Sequence, residues 1–113
     1  MKKLIFILSF WIFSVSAQTV YVAGSEDVPL MEGLIHLPDM DMTFDAPEGR
    51  IVQTTAYAET LSPKEVKQFY TDSLPQLGWK CTGKEYVREN ETLSIETHTL
   101  KGKTTVRFEL KSN

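Results

Sequence analysis

Cysteine and histidine are scarce in this chain of 113 residues, with Cys81, His36 and His98 as the complete set. A single cysteine excludes an internal disulfide, and neither histidine forms a recognisable catalytic motif with it. We therefore expect Cys81 to be a small buried side chain on a strand beside Trp79. The alternative is a reactive thiol or a disulfide to another chain.

Catalytic and cofactor motifs are missing as well. The sequence contains no Gly-rich phosphate loop, no zinc-ligand spacing and no paired-carboxylate signature, which are the patterns that mark nucleotide, metal and acid–base chemistry. The sequence identifies no catalytic residue and no cofactor, and we expect a protein that is not an enzyme.

Positive charge is not in excess. The chain has 12 Lys and Arg against 15 Asp and Glu, which gives a net charge of −3 at pH 7. Nucleic acid and anionic lipid are bound through clusters of Lys and Arg, so an acidic chain without a basic stripe argues against both as partners.

No apolar run is long enough to span a bilayer. A transmembrane helix needs about 20 apolar residues, whereas the run Leu4–Val15 is a dozen residues long and polar residues follow it closely. Two lysines precede the run, and the small residue Ala17 comes shortly after it. A short basic start, a short apolar core and a small residue before the cut indicate a secretory signal peptide.

We therefore predict that residues 1–17 are a cleavable signal peptide and that the mature chain is periplasmic or secreted. Cleavage removes two lysines, which leaves ten basic and fifteen acidic residues and a net charge of −5. The cleaved protein would have no stable membrane anchor, while a retained segment would act as one. The 96 residues after the cut suit one small domain.

The mature chain divides into two parts. Residues 18–48 contain three prolines and two glycines, which predicts an extended Pro/Gly-rich segment. This segment also holds apolar side chains that are too numerous to leave in water, namely Leu30, Met31, Leu34, Ile35, Leu37, Met40, Met42 and Phe44. We predict that it packs on the domain formed by residues 49–113.

The second part begins with the signals of a strand and a helix. β-branched residues over Arg50–Glu59 predict a strand. Ser62, with Pro63 next and Glu65 three positions on, predicts a helix that starts with a capping box. Gly78 allows the chain to turn into the next strand.

A hairpin is predicted around the turn Lys101-Gly102. Counting outward from this loop pairs side chains on one mainly apolar face: Thr97 with Val106, Ile95 with Phe108 and Leu93 with Leu110. On the polar face Glu96 lies opposite Arg107, an opposite-charge pair that supports this register.

The predicted fold is α+β. It consists of an antiparallel sheet of about four strands, in the order strand-helix-strand-strand-strand, with one helix packed on one face and the Pro/Gly-rich segment ahead of it. In one regular strand Tyr86 would point to the face opposite Trp79 and Cys81, and a bulge at Gly83 would bring all three onto one face.

Four residues in the Pro/Gly-rich segment form a loose cluster of possible metal ligands: Met31, His36, Met40 and Met42. Thioether and imidazole groups suit Cu(I). The spacing matches no defined motif, and packing is the ordinary role of methionine, so these residues are weak candidates for a copper site.

Several motifs give the chain a family resemblance. They are Asp27-Val28-Pro29-Leu30-Met31-x-Gly33-Leu34, Phe44-Asp45-x-Pro47-x-Gly49-Arg50-Ile51-Val52, Val66-x-x-Phe69-Tyr70-x-x-x-Leu74-Pro75-x-Leu77-Gly78-Trp79 and Tyr86-x-Arg88-x-x-Glu91-x-Leu93. Over most of Asp27–Leu110 the sequence resembles a family of small, secreted, functionally uncharacterised proteins of Gram-negative bacteria. The resemblance implies a periplasmic α+β domain that includes the Pro/Gly-rich segment, and it implies no activity.

Three hypotheses about function follow. The leading one is a small, non-enzymatic, periplasmic or secreted module that binds an envelope protein or a small ligand. The second is a periplasmic copper-binding protein that uses the Met/His segment. The third is a small envelope hydrolase or an inhibitor of one, for which the sequence identifies no nucleophile.

Overall fold

The computed structural model describes residues 20–22 and 27–112, so the predicted signal peptide, residues 1–17, lies outside the described residues. Seven strands and one α-helix follow each other along the chain: β1 (Ile35–His36), β2 (Met42–Ala46), β3 (Gly49–Ala58), α1 (Pro63–Ser73), β4 (Lys80–Cys81), β5 (Glu85–Arg88), β6 (Glu91–Leu100) and β7 (Lys103–Ser112). A 3₁₀ turn over Leu74–Leu77 continues α1, and another over Pro38–Met40 separates β1 from β2.

The strands form one antiparallel sheet in the order β1-β3-β7-β6-β5-β4, and β2 pairs with β3 on the same edge as β1. The prediction of an α+β fold with about four strands is wrong, because this sheet has seven strands and a single short helix. The Pro/Gly-rich segment supplies two of the additional strands. Its prolines do not interrupt them, since Pro38 begins a 3₁₀ turn and Pro47 lies in the loop between β2 and β3.

The expected strand after the helix is divided into β4 and β5 by a tight turn at residues 82–84. The N–H of Thr82 donates to the carbonyl of Glu85 at 2.8 Å, and Gly83 has a φ of +100°. The predicted bulge at Gly83 is therefore wrong. A hairpin instead brings Cys81 and Tyr86 onto one face, because it places them directly opposite each other on β4 and β5.

Other local predictions are confirmed. β6 and β7 pair in the predicted register, with Ile95 opposite Phe108 and Glu96 opposite Arg107. At the start of α1, the Ser62 hydroxyl accepts from the Glu65 N–H at 3.1 Å, and the Ser62 N–H donates to the Glu65 carboxylate at 2.8 Å. This reciprocal pair satisfies two backbone donors, as a capping box requires.

The core lies between one face of the sheet and a layer made of α1 and the described residues ahead of β1, 20–22 and 27–34, which we call the N-terminal segment. The rings of Tyr70 on α1 and Phe108 on β7 meet edge to face with centroids 5.4 Å apart. Val22, Val28 and Leu34 are buried in the same cluster. Within the described residues no helix is long and apolar enough to cross a bilayer.

Tyr70 also connects α1 to the N-terminal segment. Its hydroxyl donates to the Pro29 carbonyl at 2.7 Å and accepts from the Met31 N–H at 3.1 Å. Burial raises the pKa of Tyr70 well above its usual value near 10, because the ionised phenolate would lose its hydration.

Arg88 on β5 makes a second connection to that segment. Its guanidinium donates to Asp27, to the carbonyl of Leu77 at 3.1 Å and to Glu91 at 3.3 Å, and it lies 5.0 Å above the ring of Trp79. The hydrogen bond to Asp27 is the main reason that the pKa of Arg88 is raised. Asp27, Pro29 and Met31 are thus held to the helix side of the sheet by side chains that follow in the sequence.

Candidate functional site

The strand register divides the side chains of the sheet between two faces. On β3 and β7 the even-numbered residues, such as Ala56 and Phe108, point toward α1, and the odd-numbered residues point the other way. We call this second face, on which α1 does not pack, the open face. The two faces differ in what they offer to a ligand.

The open face carries a row of large apolar side chains along β1, β2 and β3. Ile35, Met42 and Phe44 are 50%, 51% and 42% exposed. Two half-buried residues of β3 complete the row, since Ile51 pairs with Phe44 and Tyr57 pairs with Ile35. We call these five residues the apolar strip. Gln53 and Thr55 of β3 lie between its two ends, so the strip has one apolar patch at Met42, Phe44 and Ile51 and a second at Ile35 and Tyr57. Exposed apolar patches are typical of interaction sites.

The apolar strip reaches the edge of the sheet. Among the described strands, β2 pairs only with β3, so its other side is a sheet edge. Ala46 and Gly49 close the two-residue loop between these strands, and hydrogen-bonded and non-hydrogen-bonded pairs alternate from there. The N–H and C=O groups of Thr43 and Asp45 consequently point outward along the edge.

The opposite face has a polar concavity beyond the end of α1. Its volume is about 270 Å³, and it is lined by Asp41, Thr43, Arg50, Val52, Thr54, Glu91, Leu110 and Ser112. Its charged groups have partners within the protein: His36 donates to Asp41 at 2.9 Å, Asp45 lies 3.6 Å from Arg50, and Arg88 donates to Glu91. The concavity therefore presents little uncompensated charge to a ligand.

The structure does not bring the four predicted copper ligands together. Met31 packs on the core, Met40 lies in the 3₁₀ turn, and Met42 is on the open face. His36 pairs with Ala56 and so lies on the other face, where its Nε2 contacts Asp41. Within residues 20–22 and 27–112 no cluster of three or more His, Cys, Asp or Glu is arranged to hold a metal. Copper binding stays a prediction that rests on the sequence.

Cys81 is exposed, so the prediction that it is buried beside Trp79 is wrong. The two-residue strand β4 is the edge of the sheet, and burial ends at Trp79, two residues before Cys81. The Cys81 thiol lies 3.6 Å from the carbonyl of Gly83. His98 is exposed on the open face of β6.

The sequence did contain a signal for the apolar strip. Residues 42–46 alternate apolar and polar side chains, as Met42-Thr43-Phe44-Asp45-Ala46, which is the period of a strand with one apolar face. The density of proline and glycine around this stretch obscured the pattern. The sequence predicts that the apolar side chains of this segment pack on the domain, whereas Ile35, Met42 and Phe44 lie exposed on the open face.

Comparisons of the chain with protein-family models, with curated proteins and with solved structures found no match. The resemblance to small secreted proteins of Gram-negative bacteria accordingly stays a prediction from the motifs of the sequence.

Proposed function

We propose that the protein is a non-enzymatic binding module of the bacterial envelope, periplasmic or secreted, and that it binds another protein through the apolar strip. One observation carries the proposal: Met42 and Phe44 lie side by side on the edge strand β2, Ile35 lies on the same face further along that edge, and all three expose about half of their surface. Water contact with such a row is unfavourable, at roughly 25 cal/mol per Å² of apolar surface. A partner that covers the row removes this cost.

The shape of the surface favours a protein over a small molecule. Small ligands bind in concave sites that enclose most of their surface, whereas the apolar strip is one face of a twisted sheet. The concavity on the other face is polar, and its charges are already paired with neighbours. Apolar side chains next to outward-pointing backbone groups suit a partner that contributes a strand or an apolar face.

Photo-crosslinking in intact cells tests the proposal. A photoreactive phenylalanine analogue is placed at Phe44 in the full chain, and a matched chain carries it at Leu100, an exposed apolar residue at the β6–β7 turn. We expect a discrete crosslinked product from position 44 and not from position 100, and Met42→Ser, which changes the exposed neighbour of Phe44 on β2, should abolish it. Thermal unfolding shows that each chain is folded. The same products from both positions, or none from position 44, would contradict the proposal.

The proposed location has its own test. Protein recovered from the periplasm or the medium is expected to begin at Gln18 when its N-terminus is sequenced. Recovery of the chain with Met1 intact in the membrane fraction would show an anchored protein instead.

A further inference from the structure

The edge strand β2 indicates which protein the apolar strip binds, and this inference rests on the protein-binding function proposed above. We propose that the apolar strip binds a second copy of this chain, and that the two β2 strands pair antiparallel to form one sheet that continues through both copies. Three features of β2 support this pairing: the backbone groups at the edge, the charges in each register, and the way the edge ends.

The backbone at the edge is arranged for antiparallel pairing. Thr43 and Asp45 direct their N–H and C=O groups outward, because Met42, Phe44 and Ala46 occupy the hydrogen-bonded positions toward β3. A two-fold axis through Phe44 places Thr43 of each copy opposite Asp45 of the other. The two pairs exchange about four backbone hydrogen bonds.

The same register continues the apolar face across the axis. Phe44 meets its own copy, and Met42 lies opposite Ala46, so a large side chain faces a small one. Directly opposite side chains in an antiparallel pair are about 4.5–5.5 Å apart at Cβ, which lets the two phenyl rings pack together. Met42 and Ile51 flank this contact within each copy.

The positions of the charged residues favour the register with the axis at Phe44 over the registers with the axis at Thr43 or Asp45. An axis through Thr43 places Asp41 opposite Asp45 on both sides of the axis, and an axis through Asp45 places that carboxylate opposite its own copy. Like charges directly opposite each other are destabilising. With the axis at Phe44, Asp45 faces the hydroxyl of Thr43, which is able to donate to it, and Arg50 in the same copy lies 3.6 Å from Asp45.

The ends of β2 favour a closed dimer. The 3₁₀ turn over Pro38–Met40 precedes the strand and Pro47 follows it, and a proline cannot donate to a ladder. Pairing through β2 uses that edge once in each copy and so closes on itself. The opposite edge strand, β4, has two residues and carries Lys80, which makes it a poor site for further strand addition.

The mature chain itself provides the test, with Thr43→Pro and Thr43→Ala as a matched pair. Proline removes the outward N–H without removing a bond to β3, while alanine keeps the N–H. Sedimentation equilibrium over a wide concentration range is expected to show a monomer–dimer equilibrium for the wild type and for Thr43→Ala. Thr43→Pro should be monomeric throughout. A monomeric wild type, or a dimer that survives Thr43→Pro, would overturn the inference.

Disulfide trapping tests the register. In a Cys81→Ser background, Phe44→Cys is expected to form a covalent dimer under mild oxidation at least tenfold faster than Leu100→Cys or Thr43→Cys. Preferential trapping through Thr43→Cys would overturn the register, and equal rates at all three positions would overturn the pairing.

The two proposals fail separately. A wild type that stays monomeric but crosslinks from position 44 to a different protein refutes the second copy and retains the protein-binding function. A monomer with no product from position 44 refutes both.

Discussion

Two phenylalanines on strands of the same sheet have opposite environments. Phe108 on β7 is 1% exposed beneath Tyr70, whereas Phe44 on β2 is 42% exposed on the open face. Both lie in stretches that alternate apolar and polar residues. Alternation thus assigns side chains to a face, but the layer that packs on that face decides whether they are buried. The helix side has such a layer, and the open face next to β2 has none from α1.

The largest expected difference between the two faces appears when each of these rings is truncated to alanine. Phe108→Ala is expected to lower the free energy of unfolding by about 3–5 kcal/mol, because it removes buried surface and leaves a cavity against Tyr70. Phe44→Ala is expected to change it by less than about 1 kcal/mol, since the ring is already half in water. Urea unfolding at neutral pH measures both.

Equal losses for the two variants would contradict the difference between the faces. A large loss of stability for Phe44→Ala that grows with protein concentration would instead show that Phe44 is buried in a dimer, because association then adds to stability. Unfolding at two protein concentrations distinguishes these outcomes.

Sequence patterns captured the parts of the fold in which pairing partners are close along the chain. The register of β6 and β7 followed from one turn and one charge pair, Glu96 with Arg107, and the capping box followed from Ser62 and Glu65. In each case the deciding contacts lie within a few residues or across a tight loop, so local chemistry determines them.

The missed features have two causes. β1 pairs with a part of β3 that is far along the chain, Ile35 with Tyr57, and no local pattern predicts that partner. β2 pairs with β3 across a two-residue loop, but the prolines and glycines around it obscured the hairpin. The exposure of Cys81 likewise depends on where the helix layer ends. The candidate site combines both, since the apolar strip needs the pairing of β2 and the absence of α1 from that face.

A smaller effect is expected from the hydroxyl of Tyr70. Tyr70→Phe keeps the ring but leaves the Pro29 carbonyl and the Met31 N–H without this partner, which is expected to cost about 1–3 kcal/mol. The matched change on the open face, Tyr57→Phe, is expected to stay within about 0.5 kcal/mol. Chemical denaturation measures both. If the two variants lose the same amount, the hydroxyl of Tyr70 does not connect α1 to the N-terminal segment.

The same phenol predicts a loss of stability in alkali. Its pKa is raised in the folded protein because burial disfavours the charged form. Below the unfolded pKa, near 10, both states hold the proton and the contribution is complete. Above pH 10 the unfolded chain loses the proton first, so the free energy of unfolding falls by up to about 1.4 kcal/mol per pH unit until the folded pKa is reached.

Tyr70→Phe isolates this effect, because the lysines titrate equally in both proteins. The stability difference between wild type and variant is expected to be constant up to pH 9 and to shrink from pH 10 to pH 11.5. A difference that stays constant through this range would show that the phenol ionises as easily in the folded state as in the unfolded one.

The smallest effect is expected on the open face, at the cross-strand pair of Glu96 and Arg107. Their charged groups are 3.2 Å apart, and their side chains are 60% and 48% exposed. An exposed pair contributes only about 0.2–1 kcal/mol because water and salt screen it. A double-mutant cycle with Glu96→Gln and Arg107→Gln is expected to give a coupling energy in this range at low salt. At 1 M NaCl the coupling should fall toward zero, whereas the loss from Phe108→Ala should not shrink. A salt-resistant coupling above about 2 kcal/mol would mean that the pair is shielded from solvent, and that a layer covers the open face at β6 and β7 after all.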